Sequence, residues 1–194
     1  MTRPPKARLK ILEAAERIVK TSGAARLTFE ELAQESGVTR GGITYHFPTK
    51  DVLLQALVAR DVEHWTARQA SHMENLQGEP AAEVLAHLRA SVEEDPERQR
   101  FVGGMLGAVA HDPALLEPVR ALMREHAPID PRMPSNELRL WILRLAADGM
   151  FWMDVLKCTE LPDGMRERVV AEIELLAREW AQESGPNSPP TESK

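Results

Sequence analysis

The chain has 194 residues, 43% of them hydrophobic, and a formal net charge of −6, enough apolar material for one large core or two small ones. A single cysteine, Cys158, excludes an internal disulfide and any cysteine-rich metal site. No apolar run reaches membrane-spanning length and no signal-peptide hydrophobic segment follows Met1, so a cytoplasmic protein with no membrane partner is expected. Leu, Ala, Glu and Arg dominate, β-branched runs are absent, and an all-α fold follows. The charge is uneven. Residues 1–50 hold nine Lys/Arg against five Asp/Glu, a net +4, which leaves −10 for the remainder. A basic front on an acidic body points to a polyanion met by the front alone.

In chain order, residues 5–22 predict a helix: Leu9, Leu12, Ala15, Ile18 and Val19 recur at helical spacing and Gly23 supplies the stop. Thr28 and Glu31 are spaced as a capping box and start a second helix, which Gly37 closes after about two turns. Val38 is the buried residue of the turn, Thr39 caps a third, short helix, and Pro48 ends it. Thr49 then caps a long helix running to about residue 75. A helix, a short helix, a tight glycine turn and a second short helix form a helix-turn-helix, whose second short helix lies in the DNA major groove. Further helices are predicted near 80–94, 96–111 and 113–126, with Pro80, Pro96 and Pro113 at their first positions. Residues 127–136 read as a loop, two long helices follow at about 135–157 and 163–183, and the polar tail 184–194 reads as disordered.

The short stretch Thr39–His46 is written against stability. A glycine inside a helix costs roughly 1 kcal/mol relative to alanine, and here Gly41 and Gly42 stand together. Glycine admits close approach of other groups to the backbone, and beside Thr39, Arg40, Thr44, Tyr45 and His46 the approaching body expected is a DNA groove. Arg40 can donate two hydrogen bonds to a guanine edge. Thr39, Tyr45, His46 and Lys50 can reach phosphates, which fixes register without reading sequence. The alternative is a surface helix of ordinary polar residues.

The stretches ILEAAERIV, LTFEELAQESGV and RGGITYHFPTKDVLLQAL, within residues 8–57, resemble the TetR family of one-component regulators. The resemblance implies a helix-turn-helix DNA-binding domain at 1–48, a larger helical ligand-binding and dimerisation domain at 49–183, and a tail at 184–194. It places Thr28 near the DNA backbone, Thr39, Arg40, Gly41 and Gly42 toward bases, and Tyr45, His46 and Lys50 on phosphates. Thr44 stands where many members carry a tyrosine, so one aromatic phosphate contact is missing. LAADGMFWMD at 145–154 resembles the multidrug-sensing branch.

The acidic body supports a sensor independently. Residues 138–156 are apolar nearly all round apart from Arg139, Arg144, Asp148 and Asp154, and such a helix needs cover on nearly every side. Leu138, Ile142, Leu145, Gly149, Trp152 and Leu156 make one seam; Met165, Val169, Ile173, Leu176 and Trp180 make another. Paired across two subunits they would build a four-helix bundle; packed within one chain they would be ordinary core. Trp65, Met105, Trp141, Phe151 and Trp152, with Met150 and Met153, are large, soft side chains suited to a lipophilic guest, and Asp148 would balance a cationic one.

Six histidines, His46, His64, His72, His87, His111 and His126, include no i,i+4 pair, so no metal site is expected. Gly103, Gly104 and Gly107 lack the Lys-Ser/Thr of a phosphate loop and suit close helix packing. No G-x-S-x-G or placed Cys/His pair offers a nucleophile, so no catalytic residues, no cofactor and no enzymatic activity are expected. The expectation is a homodimeric repressor of a near-palindromic double-stranded DNA operator, released by a small lipophilic, cationic inducer. An activator fits the same residues. The competing class is a helical small-molecule-binding or enzymatic dimer whose basic front is incidental.

Overall fold

The computed structural model describes residues 5–126, 130–158 and 160–183. Among them all regular structure is helical: α1 Pro5–Ser22, α2 Phe29–Ser36, α3 Arg40–His46, α4 Lys50–Glu74, α5 Ala82–Val92, α6 Pro96–His111, α7 Glu117–His126, α8 Ser135–Leu156 and α9 Met165–Glu183. Two three-ten turns, Ala24–Arg26 and Pro113–Leu116, precede α2 and α7. The expected tail at 184–194 lies outside the described residues, as do residues 127–129 of the expected loop.

The short-range signals act as their chemistry dictates. Thr28 Oγ1 accepts from the Glu31 amide at 3.1 Å and Thr39 Oγ1 from that of Gly42 at 3.2 Å, each satisfying a donor that the helix start leaves open. Gly37, at φ 66°, ends α2 in the left-handed conformation that residues with a Cβ avoid. Asp95 caps α6 through the Arg98 amide at 2.9 Å, with Pro96 inside the first turn. Pro80 behaves otherwise. Its helix starts only at Ala82, behind an Ala81 at φ 61°. Tight turns after α4, Leu76 amide to Met73 carbonyl and Glu79 amide to Leu76 carbonyl, fold the buried Leu76 into the core and place Pro80 in the connection. Pro113 opens a three-ten turn before α7, with Asp112 accepting from the Ala114 amide at 3.0 Å.

Packing groups the described helices into two compact units, α1–α3, most of α4, α6 and α7 in one, and the end of α4 with α5, α8 and α9 in the other. In the first unit Ile11, Ala15, Ile18 and Val19 of α1, Leu32 of α2, Ile43 of α3, Leu53, Leu54 and Leu57 of α4, and Phe101 and Met105 of α6 form one buried core with Phe47. Helix α6 lies close on α1 at one point. A Cβ on Gly104 would stand 2.3 Å from the Val19 carbonyl oxygen, whereas one on Gly107 would meet nothing within 4 Å. Of Gly104 and Gly107, the close-packing role falls to Gly104. Arg98 holds Asp61 of α4 at 3.0 and 3.2 Å.

In the second unit Val84, Leu85 and Leu88 of α5, Leu143, Ala147 and Met150 of α8, and Ile173 and Ala177 of α9 make the core. Arg89 of α5 grips Glu174 of α9 at 2.8 and 3.1 Å. That hydrogen bonding keeps the Glu174 carboxyl below its ordinary range, and the Arg178 guanidinium adds to the effect.

Candidate nucleic-acid interface

The interface builds from two capped helix starts. Because Ile43 and Phe47 are drawn fully into the core, α3 can present only its remaining surface outward. Thr28, Thr39, Arg40, Gly41 and Tyr45 are all exposed, Tyr45 at 68%, and nothing stands within 4 Å of where a Gly41 Cβ would be. No packing among the described residues therefore requires glycine at position 41. The Arg40 guanidinium is exposed at the first residue of α3 and pairs through Nη1 with the Glu30 carboxylate of α2. Lys50 Nζ donates to the Ala25 carbonyl at 3.2 Å, and the Thr44 hydroxyl donates to its own helix at Arg40 O, 3.1 Å.

Two residues assigned to this surface are placed differently. Gly42 is buried beside Ile43, so it cannot face bases; its amide is taken by Thr39. His46 packs its ring edge-on to Tyr45, centroids 5.1 Å apart, and its Nε2 is buried with no hydrogen-bond partner among the described residues. That nitrogen is shielded from a phosphate in this arrangement.

In the second unit, Trp65 and Asp148 come together through a residue the sequence reading passed over. His87 is buried, donates through its Nε2 N–H to Asp148 Oδ1 at 3.0 Å, and meets the Trp65 ring edge-on at 5.3 Å between centroids. Asp148 is thus held within its own chain while keeping 40% of its side chain exposed.

A family model described as bacterial regulatory proteins, tetR family, matches residues 11–57, and one described as tetracyclin repressor-like, C-terminal domain, matches residues 81–178. The chain belongs to the TetR family. It is 49% identical over 51 residues to the transcriptional regulator TtgR of Pseudomonas putida, an alignment covering 26% of this chain and 24% of TtgR. The chain thus spans about a quarter of the length of the curated relatives it matches first. The TetR-family structure SCO1917 from Streptomyces coelicolor matches with a TM-score of 0.64 and 25% identity over 87% of this chain and 98% of that one. The multidrug binding protein EbrR, solved with ethidium, matches with a TM-score of 0.59 and 25% identity over 88% and 99%.

The matched family is one of bacterial regulatory proteins, not of enzymes, and the curated relatives are HTH-type transcriptional regulators. None of its described helices is long and apolar enough to cross a membrane. Of the six candidate ligand residues, Met105 lies in the first unit and the other five in the second. Met105 is buried in the core of the first unit, because α6 packs on α1. Trp141 is half-buried, and Trp152, touching Phe151 at 5.6 Å between ring centroids, is 42% exposed on the outer face of α8. Trp65 and Asp148 share His87 as a neighbour, and a lone histidine in a run of alanine and leucine gave no signal of its own. The seam Leu138, Ile142, Leu145, Gly149, Trp152 and Leu156 is exposed along its whole length. The α9 seam behaves differently: Val169, Ile173, Leu176 and Trp180 pack on the core of their own unit, and Met165 alone of that series is exposed. A separate cleft of about 300 Å³ lies between the end of α8 and the start of α9, lined by Met150, Met153, Asp154, Leu161 and Arg166 among others. It holds none of the six residues.

Proposed function

We propose that the regulator is a homodimeric repressor that binds a near-palindromic operator through α3 and is released by a small lipophilic cation. The observation that carries the DNA reading is the free outer face of α3, with Arg40, Gly41 and Tyr45 exposed at the end of a basic segment. Arg40 reads a base edge, Thr28, Thr39 and Tyr45 position the helix on the backbone, and Lys50 reaches a phosphate by exchanging the Ala25 carbonyl for it. Thr44 keeps its hydroxyl on its own helix and contributes close packing against the groove.

Dimerisation is supported by the exposed α8 seam. A row of large apolar side chains on one helix face, each roughly half in water, gains stability when a second copy covers it. Two α3 helices would then sit roughly 34 Å or slightly more apart, on successive turns of one groove.

The inducer reading rests on Trp65 and Asp148 meeting at His87. An aromatic face and a partly exposed carboxylate together favour a flat organic cation, and EbrR, a structural relative, is solved with ethidium. Trp65 belongs to α4, whose first turn carries Lys50, so a guest at Trp65 acts on the helix that follows the reading head. Coupling of about 1–3 kcal/mol between the two ligands is typical of such linkage.

The test is duplex binding against salt. The wild-type protein enriches a palindrome from a randomised duplex library, and the logarithm of its affinity falls linearly with that of salt concentration. Lys50→Ala flattens the slope by roughly 0.9, one phosphate contact, and Arg40→Ala relaxes one base pair by about 1–3 kcal/mol. A protein that enriches no sequence, with salt-independent retention, defeats the proposal.

A further inference from the structure

We propose that Glu30 is a positioning residue for base readout: it holds the Arg40 guanidinium in one orientation and penalises every duplex site that Arg40 does not match. The inference rests on the DNA reading above and adds the source of its selectivity.

The pair joins two helix starts. Glu30 is in the first turn of α2, where a carboxylate complements the positive end of the helix dipole. Arg40 is the first residue of α3, where a cation faces the same kind of positive end, and the first turn of α3 has no acid of its own. Glu30 supplies that missing anion from the neighbouring helix. Its reach is set by the Thr28 and Thr39 caps, which fix both helix starts.

Stability does not account for the pair. Both side chains are more than 60% exposed, at 67% and 62%, and an exposed ion pair adds little to folding. On a surface meant for phosphates a carboxylate is a liability, because it repels every duplex alike. It becomes an asset only if it makes the right site better than the rest. Arginine carries five N–H donors in a rigid fork. With Nη1 on Glu30, the other nitrogens remain free for a guanine edge, and the long side chain has less rotamer freedom to lose on binding. At a wrong base pair Arg40 has no partner to offset the repulsion of Glu30, so discrimination rises from both directions.

The experiment uses the full chain, the duplex that the wild type enriches from a randomised library, and a scrambled duplex of equal length. Glu30→Ala should tighten binding to the scrambled duplex and weaken binding to the selected one. The ratio of the two affinities should fall by roughly five-fold or more, the low end of one good base contact. Glu30→Gln, which keeps an acceptor for Nη1, should retain part of the ratio, whereas Glu30→Asp, one methylene short of Arg40, should lose it. In an Arg40→Ala background Glu30→Ala should leave the ratio unchanged while still tightening both duplexes. Thermal midpoints of all variants should match the wild type, as expected for an exposed site.

If Glu30→Ala tightens both duplexes by the same factor, Glu30 is only a repelling charge and the proposal is overturned. The same holds if its effect on the ratio persists without Arg40. A wild type that prefers no duplex to the scrambled one overturns the DNA reading itself, which is a distinguishable result.

Discussion

Gly104→Ala should destabilise the regulator, and Gly107→Ala, three residues on in the same helix, should stabilise it. Both changes replace a helical glycine with alanine and gain roughly 0.5–1 kcal/mol of helix propensity. They differ in what the new methyl meets. At 104 it would stand 2.3 Å from the Val19 carbonyl oxygen and 3.1 Å from both the Val19 carbonyl carbon and Cγ1. Ordinary contact begins at 3.4 Å, so α6 must withdraw from α1 by about 1 Å. The obstacle is backbone, and the Val19 oxygen is already committed to the Gly23 amide at 2.9 Å, so no side-chain rotation relieves the clash. Overpacking of this kind costs typically 1–3 kcal/mol. The net loss should be up to about 2.5 kcal/mol at 104, against a gain of up to about 1 kcal/mol at 107. Urea unfolding followed by circular dichroism reads both, as displacements of the midpoint in opposite directions at constant slope. If the two variants move the midpoint equally, the close approach of α6 to α1 is not present in solution and the reasoning fails.

Replacing Ile142 or Leu145 on the α8 seam with Asp should convert a dimer to monomers in sedimentation and lower operator affinity, while the monomer keeps its helical circular dichroism; a dimer that survives both changes would exclude this face. Asp148→Asn should weaken binding of the probe ethidium, followed by fluorescence, by roughly ten-fold or more if the carboxylate balances the cation, and an unchanged affinity would remove Asp148 from the inducer site. The depressed Glu174 carboxyl adds stability that is complete above the ordinary glutamate range, about pH 4.3, and is lost as pH falls through its lowered value. The thermal midpoint of the wild type should therefore exceed that of Glu174→Gln near neutrality and converge with it in acid; a gap that widens in acid would give the shift the opposite sign.

What the sequence by itself determined is mostly what happens within one or two helical turns. Thr28, Gly37 and Thr39 mark helix ends because a cap bonds only a few residues away, and such bonds are written in the local order of residues. The α8 seam was legible as an apolar row, but not its exposure: its spacing fitted a second subunit or the chain's own core, and only the structure leaves it in water. Tertiary structure alone decided the rest. Nothing near Gly104 in the chain announces Val19, and nothing near Asp148 announces His87, 61 residues away. The α9 seam has the same spacing signature as the α8 seam yet turns inward, because Arg89 and the α5 surface claim it. Gly42 and His46 share the polar look of their neighbours, but a helix anchored through Ile43 and Phe47 must turn part of its short circumference toward the core. Periodicity states that a face exists; only the packed partners decide which way it points.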